Sequence, residues 1–423
     1  MLLNFSVKNY ASFKDEAFFD LVSYNKLDHN PGSVFYCEDI GVLKSAVIFG
    51  ANASGKTNLL NAFLTFKRIL LYGTQQTAEL TNSGTNANEY NPFLLADGTD
   101  KEPVEFKIEF YSPKTKIFYT YELHCLPKDI VHESLNKIDK KGKDVNLFTR
   151  KGEVTSFQEA VFPEGKGLSG MKAFRTSVPT VTAAYNLLKD LVWSEVMTEF
   201  KNIVPYFNSR IYKEFNRELL KDNYRQRVSD MIRHADFSID NIICSEKEES
   251  DERGVSYNLN VEFEHSKFNS AKQKTGSVLF EYAKESSGTK NYFRLVQKII
   301  EVLNRGGLLL VDELERSLHP MLMEKIVEVF NSSENKLGAQ LIFTTHNTHI
   351  LSPDIFRRDQ VWFTEKDKYG ASRLISLLEF SQDSRTDHAW EKRYLKGMYG
   401  AVSKVKSLPI RVNIRRETEI EDE

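Results

Sequence analysis

Four short stretches hold the residues whose types and spacing could do chemistry. The first is Gly50-Ala51-Asn52-Ala53-Ser54-Gly55-Lys56-Thr57, which fits G-x-x-x-x-G-K-[ST] at every fixed position. Gly50 and Gly55 let the backbone curl so that successive N–H groups point inward around an anion. Asn52, Ala53 and Ser54 form the turn, and Asn58 follows it. Lys56 could reach the β- and γ-phosphates of a nucleotide, and the Thr57 hydroxyl could bind Mg²⁺. The second stretch is Leu308-Leu309-Leu310-Val311-Asp312-Glu313, an apolar run ending in two carboxylates. Asp312 could hold Mg²⁺, directly or through water, and Glu313 could orient or deprotonate an attacking water. The third, Leu341-Ile342-Phe343-Thr344-Thr345-His346, ends in a histidine that would report a nearby phosphate. The fourth is Glu285-Ser286-Ser287-Gly288-Thr289-Lys290. Alone it is a weak signal, because serine and threonine also serve as ordinary helix caps.

Specific elements must position these groups. Ala46–Phe49 reads as a buried strand, and residues 58–72 repeat apolar positions at helical spacing. Strand, glycine loop and helix together are the context a phosphate cradle needs, with the positive end of the helix dipole on the same anion. Residues 308–313 and 341–346 read as buried strands. A helix is expected over Asn291–Leu303, and another over 321–330 after the turn Ser317-Leu318-His319-Pro320.

The rest of the chain frames them. Met1–Val7 and Ala17–Val22 read as strands around the turn Lys8–Asp15. Residues 73–103 lack periodicity and read as loop. Val104–Tyr111 and Ile117–His124 alternate cleanly and predict a hairpin, extended by Asp129–Ile138 and Val145–Arg150. Residues 151–180 carry no clear pattern, whereas 181–235 predict two or three helices. The second half of that stretch is basic at Arg210, Lys213, Arg217, Lys221, Arg225, Arg227 and Arg233, with Glu214, Glu218 and Asp222 interleaved. The interleaving favours a solvated, i,i+4-paired face over a nucleic-acid patch. Residues 236–264 predict strand, acidic turn (Glu246–Gly254) and strand, with a further strand over 276–283. Asp359–Phe363 and Arg373–Leu378 predict a final strand pair, and Glu417–Glu423 an acidic, solvated tail.

Composition bounds the class. At 423 residues the chain exceeds a single ordinary core. A hydrophobic fraction of 41% and a charged fraction of 27% mark a globular chain. A formal net charge of −2 supplies no global attraction to nucleic acid. Cys37, Cys125 and Cys244 form no C-x-x-C pair, so a zinc site or disulfide framework is not expected and a reducing cytoplasm fits. No apolar stretch approaches the roughly 20 residues of a membrane span, and the opening residues do not read as a signal peptide.

The order GANASGKT, ESSGT, LLLVDE, SLHP, TTHN resembles the ABC-type ATPase heads of the SMC/RecF and OLD-like class. The resemblance is firm over residues 1–72 and 281–365. It implies an α/β fold, a mixed sheet around a P-loop helix, with a largely helical insertion and a small C-terminal α/β extension. The implied division is 1–150, 151–280, 281–365 and 366–423. It implies ATP and Mg²⁺ as cofactors. Gly50, Asn52, Ala53, Ser54, Gly55, Lys56, Thr57 and Asn58 would hold the nucleotide, with Thr57 and Asp312 on the metal. Lys56, Glu313 and His346 would be catalytic. Ser286, Ser287 and Gly288 would act as the signature, completing the site of a second copy in a homodimer. Two departures stand out. Ala11 occupies the place of a basic residue in the class's N-F-R-S-F opening, and no one residue takes the place of the Q-loop glutamine, with Gln75 and Gln76 as candidates. Together with Asp359–Gly370 and Arg393–Val402, the chain looks like the RloA-type ATP-binding proteins of antiphage defence. That likeness implies a separately encoded RloB-like partner of TOPRIM-type fold and no nuclease in residues 366–423. The alternative is a DNA-repair or DNA-end-binding ATPase of the SMC/RecF kind.

Overall fold

A computed structural model of the chain describes all residues except 25–29, 83–89, 139–141, 161, 166–167, 169–175, 189–190, 208–214, 236–237, 252–253, 317, 381–388 and 402–423. The central sheet has six strands, in the order Ile203–Phe207, Leu308–Asp312, Gln340–Thr344, Ser45–Gly50, Val361–Lys366, Ser372–Ser376. The first five run parallel and only Ser372–Ser376 is antiparallel. Near-continuous apolar runs such as Leu308–Val311 and Ala46–Phe49 form these strands because both faces of a parallel sheet are covered.

Alternate residues of each strand enter different cores. Ala46, Ile48, Leu308, Leu310 and Ile342 face a core shared with Leu59, Phe63 and Phe66 of the helix Lys56–Asn82. Val47, Phe49, Leu309, Val311, Leu341 and Phe343 face the other, shared with Phe293 and Val296 of the helix Ser287–Arg305 and Ile326 of Pro320–Asn331. A seven-stranded antiparallel sheet closes the first core: Val154–Phe157, Asp144–Lys151, Ile130–Ile138, Ile117–Cys125, Val104–Ser112, Leu2–Lys8, Ala17–Asp20. The Phe5 ring of this sheet stacks on Phe63 at 3.8 Å between centroids. The architecture is the mixed α/β arrangement around a loop-and-helix that the sequence predicts.

Four local expectations change. The helix after the glycine loop stops at Gly73 (φ 77°, ψ 172°) as expected, but a second helical segment follows it to Asn82 where loop was expected. Only glycine fits at position 73, since a Cβ would sit 2.6 Å from the Ser177 carbonyl. The expected acidic turn 246–254 is mostly strand: Asn241–Asp251 pairs with Gly254–Phe268, and Lys274–Glu281 adds a third strand. The patternless stretch 151–180 supplies the edge strand Val154–Phe157. Within 151–280, besides the helices Thr180–Leu188, Leu191–Lys201 and Asp222–Arg233, the strand Ile203–Phe207 joins the central sheet at its edge. Pro205 is tolerated there because one side of an edge strand needs no donor.

Candidate phosphate-loop site

Parallel α/β sheets gather ligand groups beyond the carboxyl ends of their strands. Here Gly50, Asp312 and Thr344 end neighbouring strands, with Thr344 paired to Ile48 and Val311 to Phe343. The glycine loop spans Gly50 to Gly55, and the helix starts at Lys56. A Cβ on Gly50 would lie 2.4 Å from Thr364 Oγ1, and one on Gly55 (φ 117°) 2.6 Å from Ser372 Oγ. Steric closeness therefore demands glycine at both fixed positions. Among the described residues, no protein acceptor takes the backbone N–H of Asn52, Ala53, Gly55, Lys56, Thr57 or Asn58. That donor set, at the start of a long helix, fits a phosphate chain.

Lys56 is 5% exposed and its Nζ donates to the carbonyls of Gly50 at 2.8 Å and Ala51 at 3.1 Å. Burial pushes its ammonium down to about 8, opposed by the carboxylates of Asp312, Glu315 and Glu313. Thr57 Oγ1 donates to Asp312, 3.1 Å from Oδ1 and 3.0 Å from Oδ2. Thr344 Oγ1 donates to Asp312 Oδ1 at 2.7 Å and accepts the Glu313 N–H at 2.8 Å. Burial holds the Asp312 carboxyl above its usual range, against the hydrogen bonds of Thr344 and Thr57. A hydroxyl and a carboxylate in contact, at the mouth of an amide-lined loop, are the oxygen donors that Mg²⁺ takes beside substrate phosphates. The fit of residues to Mg²⁺-nucleotide is therefore good.

Glu313 adopts φ 53°, in the left-handed region. Leu314 N–H and Arg316 N–H bind the Thr344 and Glu313 carbonyls, and this tight turn holds the residue in a conformation that costs a non-glycine roughly 1–2 kcal/mol. The His346 N–H donates to Glu315 Oε1 at 2.6 Å. Burial, and next the charge of Lys56, keep the His346 imidazole below its usual range, hence neutral near pH 7.

Residues 45–164 and 177–352 match the family described as AAA domain, putative AbiEii toxin, Type IV TA system, which is more than half of the chain. The chain belongs to this family. No curated protein matches it. Solved structures similar to this AAA-domain chain include three SMC head domains. That of Thermotoga maritima has 12% identity and a TM-score of 0.40, over 89% of this chain and 98% of the other. That of Pyrococcus furiosus, with an extended coiled coil and bound to the C-terminal domain of ScpA, has 13% and 0.42, over 90% and 97%. That of Pyrococcus yayanosii, with a coiled coil and joint, has 10% and 0.44, over 94% and 99%.

The other candidate residues of this AAA-domain chain fall in two places. Ser286 N-caps the helix Ser287–Arg305, its Oγ accepting the Thr289 N–H at 3.0 Å, so the ordinary capping role is real. Ser286 and Ser287 are exposed and Gly288 half-buried, and among the described residues no hydrogen bond joins them to the glycine loop of the same chain. The side chains of Gln75 and Gln76, and residue Ser317, lie outside the described residues.

Sequence reasoning missed the supports of the loop. Ser12 Oγ accepts from Asn58 Nδ2 at 2.8 Å and from Ser372 Oγ at 2.7 Å, and Ser372 Oγ also lies 2.7 Å from the Ser54 carbonyl. Ser54 and Thr364 share a hydroxyl contact of 2.6 Å. The N-terminal turn, at whose tip Ala11 sits with φ 52°, thus braces the loop through serines rather than through a basic residue. At the other end, the Ala51 N–H donates to the Ala401 carbonyl at 2.9 Å, while Glu391 of the helix Trp390–Leu395 accepts from Thr348 at 2.7 Å. Ser12 stands beside Ala11 in the opening turn, but no linear signal marked its hydroxyl. None existed for Ser372 or Ala401.

Proposed function

We propose that the chain binds Mg²⁺-ATP and hydrolyses it between two copies of itself, and that the cycle switches a separate effector. Lys56 binds the outer phosphates, and the amides of Asn52, Ala53, Gly55, Lys56, Thr57 and Asn58 surround the chain of phosphates. Thr57 and Asp312 hold the metal, which when bound neutralises charge on the β- and γ-oxygens. Glu313 orients the attacking water and takes its proton. His346, neutral near pH 7, sits beside the γ-phosphate. Ser286 and Ser287, exposed at a helix start, and the half-buried Gly288 complete the site of a second copy in this reading. The observation that carries this reading is the contact of Thr57 with Asp312 next to a buried Lys56.

The effector role rests on the resemblance to RloA-type proteins. It makes the chain the cytoplasmic ATPase half of an antiphage pair with a TOPRIM-type partner. Basic residues of 217–233 support this over DNA-end binding, because acidic neighbours engage them: Lys221 with Glu218, Arg225 with Asp222, Arg233 with Asp230. Among the described residues, no helix is long and apolar enough to cross a membrane.

ATP turnover by Glu313→Gln tests the assignment. The variant binds Mg²⁺-ATP and dimerises but loses about 10²- to 10⁴-fold in rate, the usual contribution of a positioned base. Turnover equal to wild type discards Glu313 as the base. Co-purification of a TOPRIM-type protein supports the effector role, and salt-sensitive DNA affinity without such a partner favours DNA-end binding.

A further inference from the structure

The segment after the Asp312 strand is stitched to the end of the histidine strand at three points. Glu313 N–H donates to Thr344 Oγ1 at 2.8 Å, Leu314 N–H to the Thr344 carbonyl at 3.0 Å, and His346 N–H to Glu315 Oε1 at 2.6 Å. The first two fasten the strands. The third lies one residue past Thr345, whose N–H makes the last bond to the neighbouring strand, to the Ile48 carbonyl at 3.2 Å. It is made by a side chain and reaches the residue whose imidazole feels the charge of Lys56. A charge-assisted bond from a carboxylate to a backbone N–H is roughly twice as strong as a neutral one.

The rest of the Glu315 side chain is also committed to this place. Its Oε2 is buried and has no protein partner among the described residues, so the carboxylate is held by the His346 bond alone. A buried carboxylate oxygen without a donor costs free energy, and such groups are kept at functional sites. Glu315 also acts electrostatically on both Lys56 and His346, favouring their charged forms.

We propose that Glu315 is a positioning residue for hydrolysis: it fixes the backbone of His346, and thereby the imidazole, at the outer phosphate. The proposal rests on the nucleotide-hydrolysing reading above. Among the described residues Glu315 makes no hydrogen bond to the nucleotide loop, and in this assignment it does not contact the reacting atoms. Its effect is therefore on the rate of the chemical step and not on nucleotide affinity.

The test compares Glu315→Ala and Glu315→Gln with wild type in steady-state ATP turnover, with Mg²⁺-ATP affinity and melting temperature measured on the same samples. Glutamine keeps an Oε1 that can accept the His346 N–H, whereas alanine does not. Glu315→Ala is expected to lose about 10- to 100-fold in kcat, the scale of an ångström-sized misplacement, with Kd for Mg²⁺-ATP unchanged. Glu315→Gln is expected to keep at least a third of the wild-type kcat. Active wild type with Glu315→Ala equal to it overturns the positioning role alone. Glu315→Gln as slow as Glu315→Ala, or a folded Glu315→Gln without turnover where Glu315→Ala does not fold, also overturns it. A wild type that binds no Mg²⁺-ATP overturns the underlying function, and the positioning role with it.

Discussion

The Thr57 hydroxyl lies 3.1 and 3.0 Å from the two oxygens of Asp312, joining residues 255 positions apart at the mouth of the glycine loop. The contact is short because their strands are separated by only one other, Gln340–Thr344, and because Thr57 is in the first turn of the helix that leaves the loop. Removing the neighbouring ammonium should therefore weaken nucleotide binding directly. Lys56→Ala is expected to raise the Kd for Mg²⁺-ATP about 10- to 100-fold, the worth of hydrogen bonds to a charged group. Equilibrium binding of a fluorescent ATP analogue checks this, and an unchanged Kd would remove Lys56 from the site.

Protonation of Lys56 sets a pH dependence. Burial lowers its ammonium to about 8 in the folded protein, from 10.5 in a free chain. Between those values the unfolded chain holds a proton that the folded chain has released, so stability without nucleotide rises from pH 8 toward 10.5. Phosphate oxygens favour the charged form. Binding above pH 8 therefore takes up a proton, and affinity falls as pH rises through 8. Calorimetry at pH 8.5 in two buffers of different ionisation enthalpy measures the uptake, which Lys56→Met should abolish. Zero uptake by the wild type contradicts the assignment.

Glu313 sits at φ 53° without being glycine. Asparagine tolerates that conformation better than glutamate. Glu313→Asn is expected to melt no lower than wild type, with a gain on the order of 0.5 kcal/mol, while turnover is lost. A Tm several degrees lower would show that the turn does not strain the residue.

The serine brace leaves no room at Gly55. With a Cβ only 2.6 Å from Ser372 Oγ and 3.0 Å from Ser12 Oγ, Gly55→Ala must push both hydroxyls aside. It is expected to destabilise the protein by about 1–3 kcal/mol, the range for overpacking, and Ser372→Ala in the same chain should recover part of that loss. Denaturant unfolding of both variants decides. Additive losses would mean that the clash lies elsewhere.

Far from this site, Glu133 is fully buried, 3.7 Å from the equally buried Arg150 and bound by Tyr121 and by the N–H groups of Thr180 and Val181. Glu133→Ala should cost about 3–5 kcal/mol, because it removes one partner of a buried ion pair and the acceptor of Tyr121 and two backbone N–H groups. A folded remainder should bind Mg²⁺-ATP with unchanged Kd, and a weakened Kd would tie this pair to the site.

The loop itself was legible in linear order, since strand, glycines, lysine and helix are contiguous from Ser45 onward. The hairpin Val104–Cys125 was equally readable, because alternation is local. What could not be read is nonlocal. Ser12 and Ser372 meet across 360 positions, and nothing in either neighbourhood marks a hydroxyl as a brace. Ile203–Phe207 was hidden inside a helical stretch because five residues with a proline carry too little periodicity. The helical segment beyond Gly73 was missed because residues 74–82 carry few apolar positions at helical spacing.

The bond from the Ala51 amide to the Ala401 carbonyl has a mechanical reading. Ala401 is buried in the second core and its carbonyl also accepts the Tyr394 hydroxyl at 3.3 Å, so a shift of the glycine loop is passed directly to the helix Trp390–Leu395.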